Sequence, residues 1–117
     1  MTREEISSIP AGSKLNLLVA DQITKLPIYS RVGHNFLNDK GICEIIPNYS
    51  GDIKYAWEVV EKLGELGYTV FIEWKGAGRG YEFTSEVSVQ KSIYTVGHGV
   101  GEIAESICKA GLMAVCK

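Results

Sequence analysis

Residues 50–75 read SGDIKYAWEVVEKLGELGYTVFIEWK, and this stretch carries a helix, its stop signal and a strand in succession. Ser50 is a good N-cap, and Asp52 places negative charge in the first turn, where the helix dipole favours it. Ile53, Ala56, Trp57, Val60 and Leu63 recur at helical spacing and predict one apolar stripe that fills a core. The spacing predicts a helix over about residues 51–66, with Gly67 ending it in a left-handed cap. From Tyr68 the period becomes two: Tyr68, Val70, Ile72 and Trp74 alternate with Thr69, Phe71, Glu73 and Lys75. A strand is therefore expected over about 68–75.

Downstream, Gly76-Ala77-Gly78-Arg79-Gly80 supplies the backbone freedom for a hairpin loop, and strands are expected over about 81–87 and 89–96. Gly97-His98-Gly99-Val100-Gly101 reads as a loop that closes the sheet and opens a last helix over about 101–115. Ile103, Ala104, Ile107, Cys108, Gly111, Leu112 and Val115 mark the inner face of that helix. Upstream, Leu15, Leu18 and Val19 mark a helix over about 13–22 with Ser13 as N-cap. The variable stretch 24–46 has no sustained period and reads as a long loop that is functional, partly stranded or mobile, with one short edge strand over about 42–46. The order α, loop, α, β, β, β, α predicts a single α+β domain over 1–117. Its expected frame is an antiparallel three- to four-stranded sheet with amphipathic helices packed against it.

Composition narrows the function classes. At 117 residues there is room for one core, and 45% hydrophobic with 22% charged residues is globular composition. The net charge of −2 comes from interspersed charges, 12 basic and 14 acidic, so the basic stripe needed for duplex nucleic acid is missing. Cys43, Cys108 and Cys116 are odd in number and lack CxxC spacing, which reads as reduced thiols in a cytosolic protein. Residues 1–10 are polar and acidic with no apolar core of a signal peptide, and no stretch approaches the ~18 apolar residues of a membrane span.

The segments Leu15-Asn16-Leu17-Leu18-Val19-Ala20-Asp21, Pro47-Asn48-Tyr49-Ser50-Gly51-Asp52-Ile53, and Ala56-Trp57-Glu58-Val59-Val60-Glu61-Lys62-Leu63 together resemble the phage ABA sandwich domain family. Its members carry similar "LVAE", "YSTDI" and "AWEVVEKL" patterns and end in a helix like Glu105-Ser106-Ile107-Cys108-Lys109-Ala110-Gly111-Leu112. Gly51 stands where the family pattern has Thr. The resemblance implies an α-β-α sandwich and a phage protein working in the host bacterial cytoplasm. It implies no activity.

Candidate chemistry is confined to loops. His34 and His98 offer no HxxxH or HExxH spacing, and Cys43 has no local partner, so neither metal binding nor nucleophilic catalysis is expected; no cofactor is implied. Glu58, Glu61 and Glu65 lie opposite the apolar stripe as a solvated face. The expected ligand-binding set is Gly97, His98 and Gly99, where bare backbone N–H groups at a helix start suit an anion, together with Arg79 at a hairpin tip flanked by Trp74 and Tyr81. Tyr49 beside the Ser50 cap adds a stacking surface. In a phage context these residues suggest a non-enzymatic accessory protein, a homo-oligomer, that binds a small anionic, nucleotide-like ligand and sequesters a bacterial immune signal. The alternative is a protein-interaction module that redirects a host protein through an apolar patch in the variable stretch.

Overall fold

The computed structural model describes residues 1–75, 84–92 and 94–116. Its helices are α1 (Arg3–Ser8), α2 (Ser13–Gln22), α3 (Ile53–Glu65) and α4 (Ile103–Val115). Its strands are β1 (Ile28–Ser30), β2 (Asn35–Leu37), β3 (Cys43–Ile45), β4 (Thr69–Lys75), β5 (Thr84–Lys91) and β6 (Tyr94–Gly101). The strands form two antiparallel sheets, ordered β1-β2-β3 and β4-β5-β6, so the fold is α+β as expected.

The helix read from residues 50–75 is present, but its cap is Asp52, whose carboxylate accepts from the Lys54 N–H at 3.0 Å; Ser50 lies outside the helix. Its end is a full Schellman motif. Gly67 takes φ +92, its N–H donates to the Gly64 carbonyl, and the Tyr68 N–H donates to the Leu63 carbonyl. The buried face is Ala56, Val59 and Leu63, whereas Trp57 and Ile53 are half exposed. The expected stripe is therefore rotated, because α3 turns Val59 rather than Trp57 toward α4.

Three further corrections concern the ends and the loop. A fourth helix, α1, precedes the three expected ones: Thr2 and Glu5 form a reciprocal capping box, and Ile6 is buried. Gly12, not Ser13, is the N-cap of α2. The stretch 24–46 holds two strands, β1 and β2, besides the edge strand expected near 42–46, and the β2-β3 turn is held by the Asn38 side chain accepting from the Lys40 and Ile42 N–H groups at 2.9 Å each.

In the large sheet the register settles which residues face inward. Val70, Val89 and Gly97 form one row across the three strands, and Ile72, Val87 and Gly99 the next. Phe71, Ser88 and His98 form a row on the opposite face. β5 runs straight through Ser88, where a break between strands was expected, and the chain turns at Ser92, which takes φ +61.

α4 is the centre of the molecule. Nine of its thirteen residues are buried, on both sides of the helix. One side meets β5 and β6; the other meets α3, α2 and α1. Gly111 sits where a Cβ would lie 3.0 Å from Ile23 Cδ1 and 3.1 Å from Leu63 Cδ1, so the helical layer closes tightly on it.

Candidate functional site

The glycines expected to form an anion loop are strand residues. Gly97 and Gly99 belong to β6, are buried, and face α4. A Cβ at Gly97 would run into the Ala110 carbonyl and lie 3.2 Å from the Ala114 N; at Gly99 it would run into the Ser106 carbonyl. Ser106, Ala110 and Ala114 repeat every four residues, so a ridge of small residues on the helix meets side-chain-free positions on the strand. The glycines are needed for close approach of helix and sheet, not for a loop. α4 starts at Ile103 after Glu102, which makes no side-chain cap bond.

His98 alternates to the other side of the strand and is exposed. Beside it lies a cavity of about 480 Å3 lined by Arg3, Glu4, Ser7, Ser8, His98 and Met113. α1 provides four of these residues, β6 one and α4 one. The Arg3 guanidinium donates to the Val96 carbonyl at 3.1 Å, tying α1 to the edge strand. At the other end of α1, Lys109 Nζ donates to the Ser7 carbonyl at 2.9 Å and to Glu105 Oε1 at 2.7 Å. The groove thus has a guanidinium and an imidazole on its walls, two serines, one thioether, and a carboxylate from Glu4.

Tyr49 and Ser50 are built into the interior. Tyr49 is 1% exposed and its hydroxyl lies 3.2 Å from Thr24 Oγ1, so its ring is closed to stacking. Burial pushes its phenol pKa up. Ser50 donates from N and Oγ to Asn16 Oδ1, at 2.8 and 2.6 Å, and accepts from the Gly12 N–H at 2.9 Å. Asn16 Nδ2 in turn donates to Asn48 Oδ1 at 3.0 Å. This network staples the start of α2 to the turn before α3. Trp74 lies on β4, while Arg79 and Tyr81 fall outside the described residues.

A second cavity, of about 350 Å3, opens beside that network between Ser13, Asn16, His34, Ile46 and Asn48. His34 takes φ +53, and its Nδ1 is buried with no hydrogen-bond partner. A third, of about 430 Å3, lies between Phe36, Glu44, Ile45, Pro47 and Tyr55. All three cysteines are free thiols; burial, aided by Glu105, pushes Cys108 up to about 12. Among the described residues, no group of three or more His, Cys, Asp or Glu could hold a metal ion. No helix there is long and apolar enough to cross a membrane.

The model of the phage ABA sandwich domain matches residues 17–112 of this sequence. The chain belongs to that family. This phage ABA sandwich domain is similar in fold to a phage protein from Bacillus cereus ATCC 14579 known from a 2.0 Å crystal structure. The two are 24% identical with a TM-score of 0.66, over 93% of this chain and 96% of the other. Comparison with curated proteins gives no match. Arg3, Glu4, Ser7 and Ser8 precede the segment that the family model matches and Met113 lies one residue past it, so His98 alone of this lining falls inside the match. Of the residues lining this groove, the sequence singles out His98 but not Arg3, Ser7 or Met113. The available signal was Thr2-x-x-Glu5, which marks α1 as a helix and so brings its polar side chains into play.

Proposed function

We propose that this phage ABA sandwich domain is a non-enzymatic accessory protein that binds a small anionic, nucleotide-like ligand in the host cytoplasm and sequesters it. The observation that supports this reading is the open groove of about 480 Å3 beside α1, whose lining brings Arg3 and His98 together with Ser7, Ser8, Met113 and Glu4. A guanidinium and an imidazole give an anion directional donors, and Met113 offers a soft apolar surface to a planar group. Arg79, with Trp74 and Tyr81, is the second candidate contact, and the sequestering role expects a homo-oligomer. The test is thermal stability against nucleoside phosphates, cyclic nucleotides and ADP-ribose derivatives, with mass measured in solution. A binder at about 100 times its Kd raises stability by about 2.7 kcal/mol, several degrees in Tm. Arg3→Met, His98→Ala and Arg79→Ala each reduce the shift, and the ligand is recovered intact. A flat panel, or a degraded ligand, rules the reading out.

One observation favours a second reading, a module that binds a host protein. The small sheet and its turns expose Tyr29, Val32, Ile42 and Ile45 at 67%, 93%, 58% and 77%. Apolar side chains clustered on one exposed element mark contact surfaces. Capture of a host protein from lysate, lost on Ile45→Lys, distinguishes this reading from the first.

A further inference from the structure

The wall of the groove formed by α1 cannot hold itself in place. A helix of six residues is far below the length at which isolated helices persist, so α1 is positioned only by what it docks against. Ile6 and Ile9 bury its apolar side. Its two ends are pinned by long-range hydrogen bonds: Arg3 to the Val96 carbonyl, and Lys109 to the Ser7 carbonyl.

Lys109 stands out among these contacts. It is only 8% exposed and lies on α4 between Cys108 and Ala110, which are fully buried. An ammonium at such a place is costly unless its protons find partners. It finds Glu105 one turn back on α4, and the carbonyl end of α1, where a cation also suits the helix dipole. An apolar residue would satisfy the core equally well but would leave the α1 carbonyl without its donor.

We propose that Lys109 is a positioning residue of the groove. It holds the end of α1 so that Arg3 and Ser7 join His98 and Met113 around the groove, without itself lining it. Its consequence for binding rests on the groove reading above; its consequence for α1 does not. The experiment compares the wild-type protein with Lys109→Met, Lys109→Arg and the paired Glu105→Gln/Lys109→Met, which removes both charges so that the half-buried Glu105 carboxylate is not left without its cation. Hydrogen exchange is measured over residues 2–9, with residues 94–115 as internal reference, and AMP affinity by calorimetry. In both methionine variants exchange over 2–9 rises about tenfold, as expected for loss of one charge-assisted hydrogen bond, while the reference is unchanged. AMP affinity falls by a similar factor, and Lys109→Arg restores both. Unchanged exchange over 2–9 in the paired variant overturns the proposal, because Ile6 and Ile9 then hold α1 alone. A rise in exchange with AMP affinity unaltered, or with no binding by the wild type of AMP or of any other nucleotide in the panel above, supports the clamp and overturns the groove reading instead.

Discussion

Replacing Gly97 by alanine adds one methyl group at the point where β6 touches α4. That carbon would overlap the Ala110 carbonyl oxygen, and would sit 3.0 Å from the Ala110 carbonyl carbon and 3.2 Å from the Ala114 N. All are backbone atoms of a helix, so no side-chain rotation relieves the overlap; α4 must retreat by about 1 Å from the sheet. It cannot retreat freely, because its far side closes on Ile23 and Leu63 around Gly111. Overpacking in a dense core costs about 1–3 kcal/mol, and displacement of a helix held on both sides puts this substitution near the top, at about 3 kcal/mol. For a domain of this length that is a fall in Tm of roughly 10–18 °C. Gly64→Ala is the control. It is also a glycine-to-alanine change, in α3, but its Cβ meets open space, so it should raise stability by about 0.5–1 kcal/mol. Differential scanning calorimetry on the two variants gives opposite signs. A Gly97→Ala protein melting within about 2 °C of wild type, less than 1 kcal/mol, refutes the close-approach argument.

Asn16→Leu removes the acceptor of both the Ser50 N–H and the Ser50 hydroxyl in a buried setting, so urea unfolding should report a loss of about 2–4 kcal/mol. Stability should fall on the alkaline side. The Cys108 thiol has an ordinary value of 9.0 and is pushed up to about 12 by burial, so between these values the unfolded chain has released a proton that the folded one keeps. The contribution is intact below pH 9 and is lost toward pH 12, by up to about 1.4 kcal/mol per pH unit. Tyr49, raised from 10.0 by burial, acts in the same direction, and Cys108→Ala should flatten the slope just above pH 9 in chemical denaturation. With an aromatic disulfide reagent, exposed Cys43 should react at once, half-buried Cys116 more slowly and Cys108 only on unfolding; rapid labelling of Cys108 in the native state counts against its burial.

The parts of the fold that were legible are those where one physical signal acts alone. α3 and its Gly67 stop, the β4 alternation and the inner face of α4 follow from periodicity and a left-handed glycine. Of the small sheet only β3 was legible, as the short edge strand expected over about 42–46; β1 and β2, of three residues each, are too short to show a period. Gly97 and Gly99 were misread because a glycine's backbone freedom and its lack of a side chain look alike in sequence. The discriminating clue is non-local: two inward positions of a strand matched to the Ser106-Ala110-Ala114 ridge. The Tyr49 and Ser50 assignments failed similarly, since their partners Thr24 and Asn16 lie 25 and 34 residues away. Among the described residues His98 is open to solvent, and Arg3 reaches the same groove through a bond to Val96 that spans 93 residues.

The central place of α4 also bears on how the chain folds as it is made. It follows every other described element, yet β5 and β6 on one side and α1, α2 and α3 on the other bury their apolar faces against it. Until Ile103–Val115 leaves the ribosome, the earlier segments hold only local structure and expose Val19, Val59, Leu63, Val87 and Val89. Folding of the core therefore waits on distant contacts, which is slow relative to helix formation and leaves the partly made chain with apolar surface exposed.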